Sequence, residues 1–70
     1  MKTPNLTKID ISLVNRDTEL WVVTIIEEND KVYKQKNYKT REEAMAFIGG
    51  IQFGYNILTG NVLPVTQNFY

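Results

Sequence analysis

No cysteine and no histidine occur in these 70 residues. The first absence excludes disulfides and thiolate metal sites, and leaves the redox compartment unread. The second removes the commonest metal ligand and the usual general base near neutral pH. Charge of one sign is lacking too: eight basic residues balance eight acidic ones, so no whole-molecule field draws the chain to nucleic acid or an anionic membrane. No apolar run approaches the ~20 residues that span a bilayer, and no charged-then-apolar leader opens the chain. A soluble, intracellular protein of the cytoplasm is expected, without cofactor or metal.

A chain this short buries only about 60% of its unfolded surface, so a single domain over 1–70 is marginal without staples. Self-association is the stabilising device still available.

Leu6 to Val14 alternates, with Ile9, Ile11 and Leu13 on one side and Lys8, Asp10 and Ser12 on the other. That is a half-buried strand. Asn15 to Thr18 is a polar turn cluster. The stretch "ELWVVTIIEEN" reads as a second strand, but Leu20, Val22 and Ile26 interleave with Trp21, Val23 and Ile25. Both of its faces call for burial. Asn29-Asp30 suits a two-residue hairpin loop, since both types tolerate positive φ, and Lys31 to Lys39 follows as strand three.

Thr40-Arg41-Glu42-Glu43 is a capping box: the Thr40 hydroxyl accepts from the Glu43 N–H while the Glu43 carboxylate reaches back. The stripe Ala44, Ile48, Ile51, Tyr55, Leu58 carries one helix through Gly49-Gly50, and Gly60 suits its stop. Ala46, Gly50 and Gly54 fall four apart. That smooth strip fits close helix-on-sheet packing, or a helix contact between subunits. Val62 to Tyr70 adds an edge strand, with Pro64 confining it there. The expected fold is α+β: a three- to four-stranded antiparallel sheet, β-β-β-α-β, with one helix on one face.

Register sorts the side chains. A hairpin symmetric about Arg16-Asp17 sets Leu13 against Leu20, and a two-residue Asn29-Asp30 loop sets Trp21 against Tyr38. Ile9, Ile11, Leu13, Leu20, Val22, Ile26 and Tyr33 then form the core face. Trp21, Val23, Ile25, Val32 and Tyr38 form a second apolar face with a charged border, which one helix cannot also cover. Such a ridge resembles an interface, open to a second copy or a protein partner. Alternatively Leu63, Val65 or Phe69 of the C-terminal segment folds over it. A one-residue slip at either loop would exchange the faces.

Enzymatic chemistry finds no support. Glu27-Glu28 flanks a turn with its members on opposite faces, and Glu42-Glu43 is explained by capping. Ser12, the one serine, shares an exposed strand face with Lys8 as a solvated pair, and the glycine pair does not follow a strand as a phosphate loop would.

One basic run remains. "KVYKQKNYKTR" carries Lys31, Lys34, Lys36, Lys39 and Arg41, interleaved with Tyr33 and Tyr38. Aromatics for stacking and lysines for phosphates make a nucleic-acid or anion site; edge lysines that deter sheet-to-sheet pairing are the competing explanation. The pattern Trp21-x-Val23-x-Ile25, a lysine-bearing third strand, then Tyr38-x-Thr40-x-x-Glu43-Ala44-x-x-Phe47 resembles the three-strand-plus-helix arm-binding module of phage integrases, whose sheet enters DNA. The resemblance covers about half the chain, which departs from that module in its neutral charge, longer helix and C-terminal extension.

The expectation is therefore a non-enzymatic binding or regulatory protein, homodimeric, with a macromolecular partner; its size would suit a phage or mobile element. A nucleic-acid-binding module and a purely structural assembly subunit are the alternatives.

Overall fold

The computed structural model describes residues 5–69. Residues 1–4, Tyr70 and the side chain of Phe69 lie outside the described residues. Strand β1 (Leu6–Asn15), β2 (Leu20–Glu27) and β3 (Lys31–Tyr38) form an antiparallel meander, helix α1 (Arg41–Thr59) follows, and β4 (Val65–Phe69) ends the chain. The sheet order is β3-β2-β1-β4. This is the α+β fold expected, with one refinement: β4 runs parallel to β1. The helix makes the crossover that a parallel pair requires.

The helix begins and ends where its sequence signals stand. Thr40 Oγ1 accepts from the Glu43 N–H at 3.2 Å, and its own hydroxyl donates to Glu43 Oε1 at 3.3 Å. At the other end Gly60 takes φ +75°, and its N–H donates to the Asn56 carbonyl at 2.8 Å. The helix runs unbroken through Gly49-Gly50. Past Gly60 the chain is held by Gln52, whose amide pairs with the backbone of Leu63. The Leu63 N–H donates to Gln52 Oε1 at 2.9 Å, and Gln52 Nε2 donates to the Leu63 carbonyl. Each such bond contributes about 1 kcal/mol net. Together they seat Leu63 in the core and start β4 beside β1, where the Ile9 N–H donates to the Pro64 carbonyl at 2.9 Å.

The first hairpin corrects the face assignment. Leu13 pairs with Trp21, Ile11 with Val23 and Ile9 with Ile25, one residue away from the expected register. The cause lies in the loop together with the end of β1. Asn15 Oδ1 accepts from the N–H groups of Asp17 and Thr18, and Glu19 adopts φ +51°. This side-chain turn makes the connection four residues long, Arg16 to Glu19, and its closing pair Asn15–Leu20 lies two positions from expectation, which alone would keep the faces; a bulge at Val14 reduces the slip to one. With a side-chain period of two, that slip moves the whole of β2 to the other face.

Trp21, Val23 and Ile25 therefore join Ile9, Ile11, Ala44, Ile48 and Leu63 in the buried cluster beneath α1. They are core, not a free ridge. Leu20, Val22 and Ile26 alternate onto the opposite face instead. Leu63, from the C-terminal segment, does help close the Trp21 face.

The second hairpin keeps the expected register from Trp21–Tyr38 to Ile25–Lys34. Its loop, however, is the three residues Glu28 to Asp30, with Asn29 and Asp30 both at positive φ. A bulge at Tyr33 absorbs the extra residue, so Ile26 pairs with Val32 rather than Tyr33.

Candidate docking surface

The inner stripe of α1 buries Ala44 and Ile48 and half-buries Ile51 and Tyr55. Leu58, the last member of that expected stripe, is instead 79% exposed. Two further helical residues stand out with it, Phe53 at 71% and Ile57 at 66%, and Val62 beyond the helix is 71% exposed. Ala46, Gly50, Phe53 and Ile57 are spaced 4-3-4, so they line a second stripe on the helix side away from the sheet.

From Ala46 to Ile57 that outer stripe carries no charge. All eight basic and all eight acidic residues precede Ala44; none occurs from Ala44 to Tyr70. A helix that is apolar on both sides is ordinarily buried on both. Here one side lies on the sheet, and among the described residues nothing lies on the other.

The glycines point the same way. A Cβ built at Gly49, Gly50 or Gly54 meets nothing within 4 Å beyond the helix's own turns. Close helix-on-sheet packing therefore does not explain these residues, and that expectation is corrected. Beside them an open cleft of about 620 Å³ separates the C-terminal half of α1 from the lower edge of the sheet. Leu6, Tyr33, Ile51, Tyr55 and Leu58 line it with Gly50 and Gly54, and among the described residues no charged side chain does. The cleft continues the apolar helix surface down to the Tyr33 bulge.

The other residues singled out in the sequence fall as follows. Val32 is exposed on the sheet face away from α1. Tyr38 is half-buried against Phe47, with ring centroids 5.8 Å apart. Lys34 and Lys36 pair with Ile25 and Val23, so they flank α1 along the β3 edge. Lys36 Nζ lies 5.6 Å from the centre of the Phe47 ring, a cation–π contact of about 0.5–1 kcal/mol at an exposed site. Lys31, Lys39, Arg41 and Tyr33 are exposed along the same edge. The structure thus gathers the basic run on one side of the molecule and the uncharged helix face on another.

Phe53, Ile57 and Val62 escaped the sequence reading as surface residues, and Leu58 was read as part of the buried stripe. The signal was present as the charge-free run after Glu43. Among the described residues no group of three or more Asp and Glu side chains stands ready to hold a metal ion, and no helix is long and apolar enough to cross a membrane. No protein-family model, no curated protein and no solved structure matches the chain.

Proposed function

We propose that this chain is a non-enzymatic binding protein of regulatory type, and that it docks through the outer face of α1. The sheet ridge first favoured for that role is internal; the helix takes its place. One observation carries the reading: Phe53 and Ile57 on the outer face, with Leu58 at the adjoining cleft, stand about two-thirds or more exposed on a helix that has no charged residue after Glu43. Contiguous exposed apolar surface of this kind marks interaction sites in soluble proteins. Large aromatic and aliphatic side chains beside backbone-open glycines also supply the knobs and holes that a packed interface needs. Association with itself and with a protein partner both belong to this reading, as would a phage or mobile-element source.

The test is affinity capture from the source cell with wild type and Ile57→Glu side by side. Ile57 is exposed, so the carboxylate leaves folding within about 0.5 kcal/mol. Captured protein should be lost with Ile57→Glu. Equal capture by both forms would sink the helix as the docking face.

A second reading is supported by the side chains on the β3 edge. Lys31, Lys34, Lys36, Lys39 and Arg41 are all exposed there together with Tyr33, the combination that single-stranded nucleic acid accepts. Affinity carried by about five phosphate contacts should fall by roughly a hundredfold between about 50 and 200 mM salt. Docking through the apolar helix face should barely respond. The absence of any shift of labelled DNA or RNA at low salt would end this second reading.

A further inference from the structure

We infer that the outer face of α1 is covered in the free protein by the same face of a second copy, with the two helices antiparallel. This rests on the docking reading above and names the occupant. The outer stripe Ala46, Gly50, Phe53, Ile57 has the 4-3-4 spacing of a seam between two helices, and its sizes are graded. The N-terminal half offers a methyl and a hydrogen; the C-terminal half offers a phenyl ring and a branched aliphatic chain.

A parallel pair stacks small on small and large on large, leaving a void at one end and crowding at the other. An antiparallel pair centred between Gly50 and Phe53 does the reverse. It sets Phe53 of each copy over Gly50 of the other, and Ile57 over Ala46. Every layer then joins one large and one small side chain. The space above Gly50, where a Cβ meets nothing within 4 Å, receives the partner's ring.

Charge raises no obstacle. The seam holds no ionisable group, and antiparallel macrodipoles attract rather than repel. A stretch of one sequence that is complementary to itself under a two-fold axis is what an isologous contact requires.

Area sets the strength. Four layers of two helices bury on the order of 900 Å² in total, just under the size of stable interfaces. The dimer is therefore a reversible one, with a dissociation constant on the order of tens of micromolar. A face held this weakly by its own copy stays available to a better partner.

Sedimentation equilibrium over about 1–500 µM tests it, with circular dichroism confirming that each variant is folded. Wild type should pass from the 8.1 kDa monomer to twice that mass. Ile57→Glu should weaken association by about a hundredfold, because it sets a carboxylate in an apolar seam. Gly50→Phe should weaken it too, by placing ring against ring. The exchanged pair Gly50→Phe with Phe53→Gly should return to within about threefold of wild type, since knob and hole merely trade places across the axis.

Because the chain has no cysteine, a mixture of Gly50→Cys and Phe53→Cys chains gives a second readout. It should oxidise preferentially to the mixed disulfide. A monomer throughout, a dimer indifferent to Ile57→Glu, or an exchanged pair no better than Gly50→Phe would each overturn the inference. If wild type stays monomeric while Ile57→Glu still abolishes partner capture, the second copy fails and the docking face survives. Monomeric protein with capture unaffected removes both.

Discussion

Trp21→Ala should lower the free energy of unfolding by about 3–5 kcal/mol, the range for deleting a buried aromatic side chain. The indole is 5% exposed and belongs to the same buried cluster as Val23, Ala44 and Ile48. It is the largest side chain of the core and pairs with Leu13 on one flank and Tyr38 on the other. A native domain has roughly 0.05–0.15 kcal/mol of stability per residue, so the loss takes most of what a chain of this length possesses. The variant should be largely unfolded near 37 °C. Urea unfolding followed by circular dichroism at about 5 µM and at tenfold higher protein should give the same loss at both concentrations. An interface residue would behave otherwise, because its contribution would follow mass action. Leu20→Ala, on the opposite face of the same strand, supplies the contrast at about 1 kcal/mol or less. A larger loss at Leu20 than at Trp21 would mean that the first hairpin has the other register.

That contrast also shows why part of the fold could be read from the residues and part could not. The capping box at Thr40, the stop at Gly60 and the run of α1 through two glycines follow from local chemistry, which acts within one turn of the chain. The second hairpin was legible from Asn29 and Asp30, whose side chains favour positive φ. Even there the bulge at Tyr33 absorbed an error of one residue.

In the first hairpin a bulge did the opposite: at Val14 it turned a face-preserving slip of two into a slip of one. The loop there depends on Glu19 entering the left-handed region at φ +51°, a conformation seldom adopted by a non-glycine residue and one that Glu gives no hint of. With apolar residues on both faces of β2, hydrophobic pattern could not arbitrate. The slip therefore carried Trp21, Val23 and Ile25 from an expected surface to the actual core. The parallel pairing of β4 with β1 was illegible for a different reason: it depends on where α1 leaves the chain after crossing the sheet, and on the Gln52 clamp at Leu63. The docking face was legible in principle. A helix with two apolar stripes and no charge after Glu43 says that two things cover it, and only one of them is its own sheet.

Gly49→Ala with Gly50→Ala should stabilise the monomer by about 2 kcal/mol, since each glycine in a helix interior costs about 1 kcal/mol against alanine. Both glycines have ordinary helical dihedrals; only Gly60 among the four takes positive φ. Neither added methyl meets an atom within 4 Å, so the gain from a less flexible unfolded chain is not offset by a clash. For a domain of this size the midpoint of thermal unfolding should rise by about 8–16 °C, read at low micromolar protein where the monomer prevails. The same substitutions should loosen the dimer several-fold, because the methyl at position 50 occupies the space that the partner's Phe53 enters. Opposite signs in the two measurements are the expected signature of a residue kept small for something outside the monomer. A fall in monomer stability would instead place α1 tightly against its own sheet at those turns. In that case the two glycines serve the fold, and the face they open has no claim to be a seat for a second helix.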